Sequence, residues 1–283
     1  MWVLIGYGII IVAVFGGFAL SGGHLAAMFQ PFEMVIIAGA AAGAFVVGNG
    51  IKVSKATASA LPLLLKPSIY TKELHMEILG LLYDIQVKAR REGLITLEKD
   101  ADHPQDSVVF QRYPAVLANA TIVEFLTDYL RLIVSGSMET MELEQLMDEE
   151  IDTHREAGEV PVNAISRMAD SLPGFGIVAA VMGVVHTMES MGAPPEELGM
   201  LIARALVGTF LGILLAYGFV APIGSLLEHR LNESTKLLMC IKVSLLTFLN
   251  GYPPAVAVEF GRKVLYSDER PSASELETHV KRK

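Results

Sequence analysis

The stretch "ALVGTFLGILLAYGFVAP" (Ala205–Pro222) contains no Asp, Glu, Lys or Arg, holds one hydroxyl in its first half, Thr209, and closes on a proline. As a helix it is long enough to cross roughly 30 Å of hydrocarbon. Three other stretches are comparably long and equally free of charge, at 1–23, 34–51 and 171–188, while the quoted one runs on to 227. Of the 283 residues, 52% are hydrophobic and 19% charged, with a mean hydropathy of +0.46. Soluble domains carry about 25% charged residues, so part of this chain faces lipid. The first stretch has neither a basic leading region nor a small-residue cleavage pattern, and a second apolar run follows it directly. It reads as a retained span and not as a signal peptide.

Lysine and arginine set the expected orientation. The connection between the first two spans, 21–33, has neither residue, and that between the last two carries Glu189, Glu196 and Glu197, with Arg204 the one charge that fits poorly. Lys52, Lys55, Lys66 and Lys72 follow the second span, and His229, Arg230 and Lys236 follow the fourth. The bias places the segment 52–170, the tail 228–283 and both termini in the cytoplasm, with spans at 1–51 and 171–227. Leu74, Ile78, Leu81, Leu82 and Ile85, and then Ile122, Leu126, Tyr129, Leu130 and Ile133, recur at helical spacing. Pro62, Pro67, Pro104, Pro114 and Pro161 are expected to punctuate these helices. No alternating strand pattern competes. The fold class is an all-α integral membrane protein with four transmembrane helices and a helical cytoplasmic domain.

No catalytic constellation emerges, and an enzyme is not expected. "GFGIVA" at 174–179 has dinucleotide-fingerprint glycines but opens a lipid-length run with no strand before it, so close helix packing accounts for it better. "GNGIK" at 48–52 lacks phosphate-loop spacing. The seven histidines form no HExxH pair and Cys240 stands alone, so neither a zinc site nor a disulfide framework is supported and no cofactor is expected. The acidic run "MDEEIDTHREAGEV" at 147–160 reads as a solvated helix face. A net charge of −9 argues against nucleic acid as a partner. Gly39 and Gly43, like Gly208 and Gly212, have the spacing that lets helices approach closely, within one subunit or between subunits.

A self-sufficient transporter usually keeps an ionisable group near the membrane midplane, where it marks the ion pathway. None of the four spans has one at its centre. If the chain conducts an ion, another polypeptide brings the titrating group. Thr209 then has two readings: a hydroxyl lining such a path, or one that bonds back to the carbonyl a turn earlier, which residue chemistry alone favours.

The span around Thr209, with Gly208, Gly212 and Pro222, closely resembles the signature segment of the MotA family of flagellar motor stator subunits. "GYGIIIVAVFGGFALSGG", "PFEMVIIAGAAAGAFVVGN", "ALPLLLKPSIYTK", "DYLRLIVSG", "MDEEIDTH", "DSLPGFGIVAAVMGVVH" and "NGYPPAVAVEFGRKVLYS" resemble further segments of that family, in the family's order. The resemblance implies a bacterial inner-membrane protein forming a homo-oligomeric ring, a pentamer, around a dimer of MotB, whose single membrane helix brings the Asp missing here. It implies protons as the coupling ion, and torque on the rotor protein FliG. Pro173 and Pro222 match the prolines that couple protonation to movement. Thr209 matches the pore-facing hydroxyl, and Ala180 stands where sodium-driven relatives carry a threonine. Arg90 and Glu98 match the charged pair that meets the rotor, with Lys88 and Arg91 close enough to share that work. An ExbB or TolQ-like energiser of an outer-membrane system is the nearest alternative, although such relatives have three spans, and a self-sufficient ion transporter the next.

Overall fold

The computed structural model describes residues 2–190, 192 and 194–282, and every regular element among them is helical. The main helices are α1 (Trp2–Leu20), α2 (Pro31–Leu64), α3 (Lys72–Glu92), α4 (Ala120–Ser135), α5 (Thr140–Glu189), α6 (Pro195–Leu249), α7 (Pro254–Val264) and α8 (Ala273–Arg282). The chain divides into two units, Met1–Pro67 with Gly158–His229, and Ser68–Ala157 with Arg230–Lys283.

The first unit holds the apolar lengths of α1, α2, α5 and α6, four helices long and apolar enough to cross a membrane. α1 buries none of its residues, and Trp2, Ile9, Val12 and Leu20 are 64–92% exposed. A helix apolar on all sides suits a lipid surround. The inner seam is made of Ile37 and Ala41 from α2, Leu172 and Ala179 from α5, and Val207, Leu211 and Ala216 from α6. Two expectations shift here. Pro62 lies inside α2 and Pro161 inside α5, so neither ends its helix; neighbouring groups can absorb the amide a proline removes. α2 instead breaks at Gly50, whose φ of 64° needs a residue without a Cβ. Glu33, expected in the connection before the second span, occupies the first turn of α2.

The second unit has a conventional hydrophobic core. The expected stripes on α3 and α4 are buried together with Leu143, Met147 and Ile151 of α5 and Leu237, Ile241 and Leu245 of α6. Thr71 and Asn119 cap the two helices by accepting from the amides of Leu74 and Ile122, the chemistry that short oxygen-bearing side chains supply at helix starts. Gly80 lets Tyr113 lie against α3: a Cβ there would sit 2.8 Å from the ring, and the Tyr113 hydroxyl donates to Asp84. Gln86, fully buried, donates to both the carbonyl and the hydroxyl of Ser244.

His75 is 2% exposed, with Nδ1 3.3 Å from the Glu269 carbonyl. Burial holds its imidazole below the ordinary value. The folded unit therefore keeps His75 neutral where the unfolded chain takes up a proton. This contribution is complete above about pH 6.5 and declines as pH falls towards the folded value. Glu269 is pushed up by its own burial and by Glu233 and Asp268, which acts in the opposite sense, so the test is a difference between variants. The thermal midpoint of the full chain in detergent is expected to fall less between pH 7 and pH 5 in His75→Asn, whose amide nitrogen takes the place of Nδ1 and can still donate to Glu269, than in the parent. Parallel curves would remove His75 from this account.

Candidate functional site

The first unit is held together by glycines on α5 and α6. A Cβ on Gly212 would lie 2.8 Å from both the Gly176 Cα and the Leu172 carbonyl oxygen, and one on Gly183 would lie 2.8 Å from the Ala205 Cβ. A Cβ on Gly208 would meet the Ala179 Cβ and the Ala180 nitrogen, each at 3.1 Å, and the Glu33 Oε2 at 3.0 Å. The two backbones are in contact because both helices present small residues at the seam. The pairing of Gly208 and Gly212 is thus spent inside the subunit, whereas Gly39 and Gly43 have nothing within 4 Å.

That seam brings Ala180 beside the turn that carries Thr209. Thr187, Thr235 and Thr247 each bond back to the carbonyl four residues earlier. Thr209 is half-buried, and among the described residues its hydroxyl makes no such bond. The local arrangement therefore departs from the back-bonded reading and leaves the hydroxyl available. Glu33, which the residue pattern assigned to a connection, reaches the same turn, and its Oε2 is buried without a hydrogen-bond partner among the described residues. Its only sequence signal was its place three residues after Gln30, in a proline-led start that could be read as loop or helix.

Pro173 lies inside α5, half-buried, one residue after the Leu172 carbonyl that Gly212 approaches. Pro222 lies in α6 immediately after a π-helical turn, Leu214–Val220, where Ala221 donates to the carbonyl of Ala216, five residues back. A proline removes the amide that would bond the carbonyl four residues earlier, and a local π adjustment is one way a membrane helix accommodates it. Pro222, Tyr7, Ile10 and Leu61 line an apolar groove of about 450 Å³.

In the second unit Arg90 sits in the last turn of α3 and Glu98 opens the short helix Glu98–Asp102; both are exposed, as is Arg91. Lys88 does not share that surface as the sequence suggested. Its Nζ lies 2.6 Å from Asp100 Oδ2, and Asp100 Oδ1 accepts from Ser107 at 2.7 Å. Asp100 and Ser107 are each 6% exposed, so this trio ties the Glu98 helix to α3. The acidic run on α5 points largely outward, with Asp148 paired to Lys242 and Glu150 accepting from Tyr129. Among the described residues no three His, Cys, Asp or Glu side chains are grouped to hold a metal.

Residues 4–93 match the family described as motility protein A N-terminal, and residues 118–239 match the MotA/TolQ/ExbB proton channel family. Motility protein A of Salmonella typhimurium is 55% identical over 281 residues, 99% of this chain and 95% of that protein. The fold is similar to that in the structure of C. jejuni MotAB, with a TM-score of 0.80 at 20% identity, covering 94% of this chain and 96% of that one. It is also similar to that of the flagellar MotAB stator complex from Bacillus subtilis, with a TM-score of 0.77 at 24% identity over 97% and 98% of the two chains. Glycine contacts, span count and paired prolines thus occur in a sequence more than half identical to a motility protein A along nearly its whole length, and the chain belongs to the motility protein A family of the MotA/TolQ/ExbB proton channels.

Proposed function

We propose that the chain is a stator subunit of the bacterial flagellar motor: an inner-membrane proton channel component, not an enzyme, that works in a ring around MotB and transmits torque to FliG. Family membership supports the role, and the seam of α5 and α6 supports the division of labour. An unbonded Thr209 hydroxyl stands beside Ala180 in spans whose centres carry no charge, so MotB supplies the Asp. Ala180 has no side-chain oxygen to offer a sodium ion, which favours protons. One proton crossing 100 mV is worth about 2.3 kcal/mol, enough to repack a helix end per step. Pro173 and Pro222 are the places where such repacking costs least. Arg90 and Glu98, exposed and opposite in charge, would supply register and steering on the rotor more than affinity. A pentameric ring with both termini in the cytoplasm completes the reading.

Glu33 favours a second reading, a self-sufficient transporter, because its buried, unpartnered oxygen reaches the Gly208 turn. Proton flux separates the two in a host lacking its own stators. The stator reading expects flux only with a plug-deleted MotB, lost when the partner's membrane Asp becomes Asn. Thr209→Val is expected to lower that flux roughly three- to tenfold, the worth of one hydrogen bond, and Thr209→Ser to retain it. Flux from the chain alone, abolished by Glu33→Gln, would replace the stator reading with the transporter one.

A further inference from the structure

We propose that Tyr7 is a positioning residue for torque generation: its hydroxyl latches the π turn of α6 that precedes Pro222, and the latch must open and close as that turn changes shape. The proposal rests on Pro222 acting as the coupling hinge. Tyr7 Oη donates to the carbonyl of Phe219 at 2.8 Å, and the two rings lie 5.0 Å apart. These residues are far apart in the chain, so the bond joins α1 to α6 beside the groove that Tyr7 and Pro222 line. The same two helices are also close one residue earlier in the turn: a Cβ on Gly218 would lie 3.4 Å from Ile10 Cγ2.

The chemistry of the turn explains why an added tie from a neighbouring helix matters there. Pro222 has no amide for the carbonyl of Gly218, and the π register displaces the Ala221 amide to Ala216. The carbonyl that Tyr7 holds, Phe219, adjoins this weakened stretch and is not itself the one the proline leaves; in hydrocarbon, side chains of neighbouring helices commonly support such a stretch. Tyr7 brings a donor from another helix to this segment and to no other described residue. α1 has no other inward polar side chain, since the rest of Trp2–Leu20 is apolar apart from the Trp2 indole. The bond therefore depends on the position that Phe219 takes in this deformed turn. Any state in which the turn straightens or rotates away from α1 forfeits this bond, so Tyr7 sets the relative energy of the two hinge states.

Tyr7→Phe keeps the ring against Phe219 and removes only the donor. Two measurements test it on the full chain assembled with MotB. In hydrogen exchange, amides of 214–224 are expected to exchange about threefold or more faster than in the parent, with those of 176–188 unaltered. In bead assays at low load, speed per assembled unit is expected to fall about threefold and to depend less on external pH, because a slowed hinge step makes proton arrival less limiting. Fewer assembled units with parental speed per unit would mean that Tyr7 only packs, and would overturn the latch. Faster exchange with parental speed and pH dependence would overturn it equally, as would no change in either measurement. If the parent chain itself drives no rotation, the stator reading fails first, and exchange alone then decides whether the bond holds the turn.

Discussion

Gly212→Val is expected to abolish partner-dependent proton flux and rotation, and to lower the amount of assembled protein in the membrane. The added Cβ would stand 2.8 Å from the Gly176 Cα and from the Leu172 carbonyl oxygen, both backbone atoms that cannot rotate aside. Overpacking in ordinary cores costs about 1–3 kcal/mol when side chains can repack. Here two whole helices must separate instead, and the seam that positions Ala180 beside Thr209 opens with them. Gly176→Val meets the same obstacle from the other helix, with the Gly208 carbonyl oxygen at 2.9 Å. Gly39→Val and Gly43→Val form the contrast, because a Cβ at either position meets nothing within 4 Å inside the subunit. Their subunits are expected to reach the membrane at parental levels. Flux and membrane level measured on all four variants check this, and parental flux from Gly212→Val would show that the seam is looser than these distances require.

These glycines show how far the sequence alone can be read. Gly39 with Gly43 and Gly208 with Gly212 carry the same spacing, and composition cannot say which pair meets a helix of its own chain. Only the placement of α5 resolves it, because the residues opposite Gly208 and Gly212 are Gly176 and Ala179 and the match is one of three-dimensional register. Long uncharged runs, by contrast, are legible: lipid demands them, the last three expected spans lie within helices long enough to cross, and the first, 1–23, covers the helix Trp2–Leu20 and a few residues beyond it. The core stripes of α3 and α4 are equally plain, since helical spacing and burial follow one period. Proline misleads because its local rule is to end a helix, while Pro62, Pro161, Pro173 and Pro222 all lie within long helical segments. The roles of Thr209 and Tyr7 depend on hydrogen bonds made or missing. Spacing along one helix carries no information about those.

Asp100→Ala is expected to impair rotation almost as severely as loss of Glu98 itself, although Asp100 is too buried to touch a rotor. Its carboxylate accepts from Lys88 at 2.6 Å and from Ser107 at 2.7 Å while only 6% exposed. Ser107 Oγ in turn accepts from the amides of Val109 and Phe110, so one acid organises the loop as well as the short helix. Removing it strands the Lys88 ammonium and the Ser107 hydroxyl, at a cost of about 1–3 kcal/mol for an unmet buried group; the quarter of the Lys88 side chain that remains exposed keeps the figure from the upper range of fully buried pairs. Glu98 begins the helix that this acid links to α3, a helix held as well by Leu97 and Ala101 in the core and by Arg131, which donates to Asp102 and to the Ala101 carbonyl. Without the acid the helix keeps its apolar packing and the Arg131 hold but loses its polar link to α3 beside Arg90, so the two charges no longer present one fixed pattern. Lys88→Met combined with Asp100→Ala is expected to recover part of the stability, since it removes the stranded charge, but not the rotation, since the anchor is still missing. Thermal midpoints of the full chain with swimming speeds at matched membrane levels separate these effects. Full swimming by Asp100→Ala would mean that the Glu98 helix holds its place without the trio, and that Lys88 is free for the rotor surface after all.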